Sequence, residues 1–196
     1  MGRQEQTNHL FSNRDLRILL VPLIVEQILN SLMGTADSIM VSNVGSAAIS
    51  AVSLVDSINI LVIQAFYALA AGGTIVCSQY IGQKDKKNAE ESARQLSFVV
   101  ACISSAVMAV CLLTRGPLLR LIFGSVEADV MEAAQIYFFY TVLSFPFIAL
   151  YDAGSSIYRA QGNTRLPMTI AVVSNGLNIA GNAVLIWGFH LGVAGA

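Results

Sequence analysis

Five long apolar runs succeed one another along the chain, separated by short polar clusters. Leu96–Thr114 and Leu166–Gly188 hold no charged residue. Ile18–Ser42 is apolar apart from Glu26 and Asp37 among its charges, and Ala133–Tyr158 carries only Asp152. Ser57–Ile81 is uncharged, and a helix starting earlier, near Ala47, takes in Asp56. The hydrocarbon core of a bilayer is crossed by a helix of about 20 apolar residues. The pattern therefore predicts an all-α integral membrane chain with spans at about 18–42, 47–81, 96–114, 133–158 and 166–188. The small-residue stretch "GVAGA" reads as the start of a sixth.

Punctuation refines these spans. Pro22 and Pro146 fall inside them, where a missing N–H can bend a helix or leave a static kink. Small residues recur four apart at Ala47/Ala51, Ala68/Gly72 and Gly176/Ala180, a spacing that lets helices approach closely in lipid. In "KKNAEESARQ", Asn88 and Glu91 have capping-box spacing, predicting a short helical stretch that leads into the third span. Glu127, Asp129 and Glu132 suit the N-terminus of the fourth helix.

Composition agrees with this class. Of 196 residues 55% are hydrophobic and 12% charged, with mean hydropathy +0.66; soluble domains carry about 25% charged residues. A net charge of −1 says nothing about nucleic acid, and no basic cluster is large enough to suggest it as a partner. The first apolar run is too long for a signal peptide, and no small-residue cleavage site follows it. Cys77, Cys102 and Cys111 fall inside spans and read as small hydrophobes, with no metal-ligand spacing. His9 and His190 lie outside the spans and read as inert surface residues.

The cations fix a polarity. Arg3, Arg14 and Arg17 precede the first span, "GQKDKKNAEESARQ" carries four more, and Arg159 and Arg165 join the fourth span to the fifth. Only Arg115 and Arg120, read here as part of the third connection, fall on the other side. Nine against two places the N-terminus in the cytoplasm. Tyr80, Tyr158 and Trp187 sit at span ends, as an aromatic belt or as ordinary packing.

Polar residues inside the spans are the candidate chemistry. At about 100° per residue, Glu26, Asn30 and Asp37 return to within about 20° of one direction. Asn175, Asn178 and Asn182 form a second one-sided stripe. Neither stripe can face lipid without leaving polar groups unsatisfied, so the two are expected to face each other. Asn amides can hydrogen-bond a carboxylate, and their carbonyls can coordinate a cation. Asp37 could then take up a proton or hold Na⁺. The plainer alternative is a polar clasp, or a cap at a helix break near "GTAD". Glu26 and Asp56 are open to a further reading as interfacial side chains that snorkel. Asp152, six residues after Pro146, serves the same cavity or satisfies backbone freed by the kink. Asn30, Gln64 and Tyr140 are weaker candidates for lining the cavity, with Glu26, Asp152 and Asn175.

Four segments carry a resemblance. "PLIVEQILNSLMGTADSIMVSNVGSAAISAVSL" resembles the first helix and turn of multidrug and toxic compound extrusion (MATE) transporters. "ALAAGGTIVCSQYIGQKDKKNAEE" resembles their second helix and loop, "SIYRAQGNTRLPM" the connection between their fourth and fifth helices, and "GLNIAGNAVLIWGFHLGVAGA" their fifth helix and the start of the sixth. The resemblance runs from about residue 16 to the end. It implies one lobe of a twelve-helix transporter: residues 1–15 as a cytoplasmic N-terminus, 16–196 as the N-terminal transmembrane lobe, and the C-terminal lobe absent. It also implies efflux of cationic or amphipathic drugs across the cell membrane in exchange for H⁺ or Na⁺, with no other cofactor. Asp37 matches the first-helix acid implicated in coupling, Pro22 a proline whose bending has been proposed to accompany protonation, and Asn178 a polar residue of the fifth-helix cation site. Many relatives have Asp where this chain has Asn182, which leaves the choice of H⁺ or Na⁺ open. Two alternatives stand beside this reading: a lipid-linked oligosaccharide flippase of the same superfamily, disfavoured by the lack of mid-span Lys or Arg, and a non-transporting membrane fragment. No nucleophile–base–orienter set or metal-ligand cluster suggests an enzyme.

Overall fold

The computed structural model describes residues 13–42, 45–124 and 126–189, without the side chains of Asn13, Asp15, Asp37, Val41 and Trp187. Residues 1–12 and 190–196, with His9, His190 and the "GVAGA" segment, lie outside the described residues. The described residues form five helices: α1 (Asn13–Ser42), α2 (Ser46–Gly82), α3 (Lys86–Phe123), α4 (Ala128–Ala160) and α5 (Arg165–Ala183), the last continued by a π-helical turn, Val184–Gly188. All five are long and apolar enough to cross a membrane.

The outer surface is chemically that of a membrane protein. Leu113 and Leu121 are 84% exposed, and Phe98 and Leu177 are 69% exposed. Apolar side chains so bared on many faces would be untenable in water and are at ease against lipid tails.

α3 is longer than its uncharged run suggests. Its N-cap is Asp85, whose Oδ1 accepts from Asn88 N at 3.2 Å while Asn88 Nδ2 donates to Oδ2 at 2.6 Å. The capping box expected of Asn88 and Glu91 therefore does not form: Glu91 turns along the helix and accepts from Arg94 and Gln95 instead. At the other end Pro117 does not stop the helix. The apolar pattern continues past it, with Leu119 fully buried. Arg115 and Arg120 accordingly lie on α3 rather than in a connection. Arg115 stands over the Phe139 ring at 5.4 Å, a cation–π contact joining this end of α3 to α4. Gly124 ends the helix at φ 63, a left-handed conformation that glycine adopts without strain.

α2, α3 and α4 share one core. On α4, Val130, Ala134, Phe138, Val142, Phe145, Ala149 and Ala153 form a buried stripe at helical spacing. Phe145 meets Phe66 of α2 edge to face at 5.8 Å. Helix approach uses a glycine other than the one the spacing suggested. Gly72 faces open space, whereas a Cβ on Gly73 would run into Leu96 of α3.

α1 packs chiefly against α5 and touches α2 and α4 far less. The α4–α5 connection, "RAQGNTR", ties this pair to the core. Gly162 takes the positive φ of 78 that the turn requires. Asn163 Oδ1 accepts from Leu166 N at 3.3 Å, capping the start of α5. Thr164 Oγ1 donates to the carbonyl of Ile18 at 3.3 Å. That carbonyl is the one Pro22 leaves without its helical N–H, four residues on. Arg159 Nη1 reaches both carboxylate oxygens of Glu26, at 3.2 and 3.3 Å, and the Tyr151 hydroxyl donates to Oε1 at 3.4 Å. The Glu26 side chain is 4% exposed and that of Arg159 20%. Glu26 is thus an interior partner of α4 and does not snorkel.

Removing one partner of a buried ion pair strands the other charge, at about 3–5 kcal/mol. Arg159→Met leaves the buried Glu26 charge with only the Tyr151 hydroxyl among the described partners, whereas Glu26→Gln leaves an Arg159 that can reach water. Thermal melts of the whole protein in detergent should show a much larger loss for Arg159→Met, largely restored in the double variant. In the same assay Gly73→Val should cost about 1–3 kcal/mol through overpacking against Leu96, while Gly72→Ala should be neutral or slightly stabilising.

Candidate functional site

A cavity of about 870 Å³ opens between the α1–α5 pair and the α2–α4 wall. α3 contributes nothing to its lining and serves as backing for α2 and α4. The polar lining comes from all four facing helices. α1 gives Asn30 and Ser38, α2 gives Asp56, Asn59 and Gln64, α4 gives Tyr137, Thr141, Ser144, Tyr151 and Asp152, and α5 gives Ser174 and Asn175. Val52, Ile60, Ile63, Phe145 and Ile148 supply apolar surface between them. No Lys or Arg is among the described lining residues.

The reason for this inward polarity is the solvent. A polar side chain turned to hydrocarbon loses its hydrogen bonds unless, like the hydroxyls of Thr35, Ser57 and Thr114, it bonds back to its own helix, so carboxylates and amides gather in the shared interior. On α2 the pair Asp56 and Asn59 lies on one side of the helix, three residues apart. Asn59 Nδ2 donates to Asp56 Oδ1 at 3.4 Å, and the Tyr137 hydroxyl donates to the same oxygen at 3.2 Å. At the other end of the cavity Asp152 lies within electrostatic reach of both Arg159 and Glu26. Its Oδ2 is buried with no hydrogen-bond partner among the described residues.

Among the residues expected from sequence, Asn30, Gln64, Asp152 and Asn175 line the cavity. Glu26 does not, being engaged by Arg159 and Tyr151 beside it. Tyr140 does not either. It is 52% exposed on the outer face of α4, edge-on to Phe139. Pro22 and Pro146 both lie within continuous helices. Asp37 lies on α1, which packs against the α5 that carries Asn178 and Asn182; its side chain is outside the described set. Asn182 is buried and donates to Asn178 Oδ1 at 3.4 Å, two residues before the π-helical segment begins. Such a segment widens a helix locally and often accompanies a functional site. Asn175 spends its amide N–H on the Ala171 carbonyl of its own helix, at 2.7 Å. Among the described residues no group of three or more His, Cys, Asp or Glu converges to hold a metal ion.

Asn59, Tyr137 and Tyr151 were not singled out by sequence. The signal for Asn59 was present as an amide three residues from Asp56 in an otherwise uncharged run. Nothing in the sequence marks Tyr137 or Tyr151, because tyrosines at helix positions are ordinary packing residues until a partner helix is known.

Comparison with known proteins places the chain. The MatE family model matches residues 22–184. An uncharacterized transporter, YisQ, of Bacillus subtilis is 35% identical over 196 residues, covering 97% of this chain and 41% of that protein. A probable multidrug resistance protein, NorM, of Thermotoga maritima is 26% identical, with 93% and 40% covered. A solved structure described as the outward-facing conformation of a multidrug resistance MATE family transporter of the MOP superfamily has a TM-score of 0.87. It is 24% identical and covers 93% of this chain and 40% of that one, a likeness of fold. The chain spans about two fifths of the length of these relatives. By the extent of the family match and by its architecture, this multi-pass membrane chain belongs to the MatE family of transporters.

Proposed function

We propose that the chain forms the N-terminal lobe of a twelve-helix exporter that moves cationic or amphipathic compounds across the cell membrane against an inward flow of H⁺ or Na⁺. The observation that carries this reading is the cavity between the two helix pairs. It is large enough for a small organic molecule, apolar in its bulk, and, among the described residues, furnished with carboxylates and amides and no basic side chain. That lining suits a cation with a hydrophobic body. It suits a pyrophosphate headgroup poorly, which disfavours the flippase alternative.

Asp37 is the proposed coupling carboxyl, with Asn178 and Asn182 as its partners. What supports this is the packing of α1 on α5, which brings together the two helices that bear these residues. An ion bound there and a drug bound in the cavity share the α1–α5 side of the lobe. Exchange follows if each stabilises a different arrangement of that pair; without such a difference in affinity neither ligand could displace the other. The "RAQGNTR" turn would anchor one end of α1 while the remainder moves. The excess of Lys and Arg at that same end supports a cytoplasmic N-terminus.

In the whole protein, expressed in cells stripped of their own drug pumps, Asp37→Asn should abolish ethidium efflux with membrane abundance unchanged. Undiminished efflux would remove the coupling role. Transport in vesicles, with pH and Na⁺ gradients imposed separately, should show dependence on one of the two ions that disappears in Asp37→Asn. Efflux that needs neither gradient would overturn the antiport reading.

A further inference from the structure

We infer that Asp56 and Asn59 of α2, with Tyr137 of α4, form a subsite for the protonated amine of an amphipathic ligand, separate from the α1–α5 pair. The inference rests on the cavity's being a substrate cavity, as proposed above, and adds where in it an ammonium group binds and why.

Three observations carry it. First, the charge at Asp56 is uncompensated. Glu26 has a guanidinium at 3.2 Å. Among the described residues Asp56 has only neutral donors, an amide at 3.4 Å and a phenol at 3.2 Å, and both fall on Oδ1. Among the described residues the ion pairs are Glu91–Arg94 and Glu26–Arg159, and Asp56 belongs to neither. Second, Asn59 is 7% exposed, and its Oδ1 is buried with no donor among the described residues. A buried acceptor without a donor is uncommon, and its occurrence points to a partner that comes and goes. Third, both residues line the cavity, with the Tyr137 ring beside Asp56 and with Ile60 and Ile63 for an apolar body.

The chemistry of the two free acceptors selects the ligand. Two oxygens, one anionic and one an amide carbonyl, call for a group that brings both positive charge and N–H bonds. A protonated amine has both, and a slight turn of the Asn59 side chain presents Oδ1 to it. A cation without N–H satisfies only the charge, although the Tyr137 ring still attracts it. The subsite also sits away from the anchored end. Asp56 is ten residues into α2 and Tyr137 nine into α4, about 15 Å from the ends remote from Thr164 and Ile18. The Glu26–Arg159 pair occupies the opposite half, so the two sets of charges are divided along the cavity's length.

The test is equilibrium binding to the whole protein in detergent, with no gradient. Three probes are used: doxorubicin, a primary ammonium; tetraphenylphosphonium, a cation without N–H; and chloramphenicol, which is neutral. Asp56→Asn should weaken doxorubicin by about tenfold or more, the worth of one charge-assisted hydrogen bond. It should weaken tetraphenylphosphonium less and leave chloramphenicol unchanged. Asn59→Leu should weaken doxorubicin alone. The unchanged neutral probe doubles as the check that each variant is folded. Equal losses for all three probes would make Asp56 a clasp between α2 and α4 and overturn the subsite, as would full doxorubicin affinity in Asp56→Asn. The two readings fail separately. A wild-type protein that binds doxorubicin with the expected selectivity yet transports nothing removes the exporter and keeps the subsite. Efflux lost in Asp37→Asn, together with intact doxorubicin binding in Asp56→Asn, does the reverse.

Discussion

Everything in this lobe follows from one constraint: in hydrocarbon, a polar group has no solvent to fall back on and must find its partner inside the bundle. The backbone meets the constraint by coiling into helices, and the side chains meet it by facing inward. Where a helix fails to satisfy itself, the protein supplies a specific remedy. Pro22 denies the Ile18 carbonyl its N–H, and Thr164 donates to it from another element. Glu26 would be an isolated charge, and Arg159 and Tyr151 engage it. Both remedies come from α4 and the connection that follows it, so the same few residues that quiet the interior also hold α1 in place.

The same constraint explains why a cavity exists and where. α2, α3 and α4 bury a continuous apolar stripe and need nothing else to pack. α1 and α5 bring polar faces, which cannot be pressed into that stripe and cannot be turned to lipid. They pair with each other and stand off from α2 and α4, and the gap is lined by the polar residues of all four helices. The third helix, most apolar in its central run, has no polar face to offer and is left outside the site as backing. The α2–α3–α4 part is apolar and closely packed, whereas the α1–α5 part that lines the cavity with it is joined to it by a small number of polar ties. Such ties have defined geometry and can be made or released as units, which is what a change between two states requires.

Much of the fold was legible because hydrophobicity in membranes is read from long uninterrupted runs. Leu96–Thr114 and Leu166–Gly188 have nowhere to go but lipid or the interior, and the small-spaced polar clusters leave room only for tight connections. The ends of α3 were less legible. Its helix begins ten residues before the uncharged run and ends nine after it, because charged and prolyl residues are tolerated once a helix has left the hydrocarbon. Asp85 displaced the expected cap for a similarly local reason: a carboxylate accepts from the Asn88 N–H directly, and exposed Glu91 has Arg94 and Gln95 within easier reach.

The sequence by itself determined the class and the five membrane-crossing helices of the described residues, since those depend only on the cost of polarity in a bilayer, which every residue meets alone. Only the tertiary structure decided which polar residues meet. Glu26 and Asp152 share the neighbourhood of one arginine, Asp56 goes to Tyr137, and Tyr140 faces outward with a neighbouring ring. Those outcomes depend on how four helices are rotated and offset against one another. A rotation is fixed by the summed packing of the whole interface, in which no single residue has a deciding share.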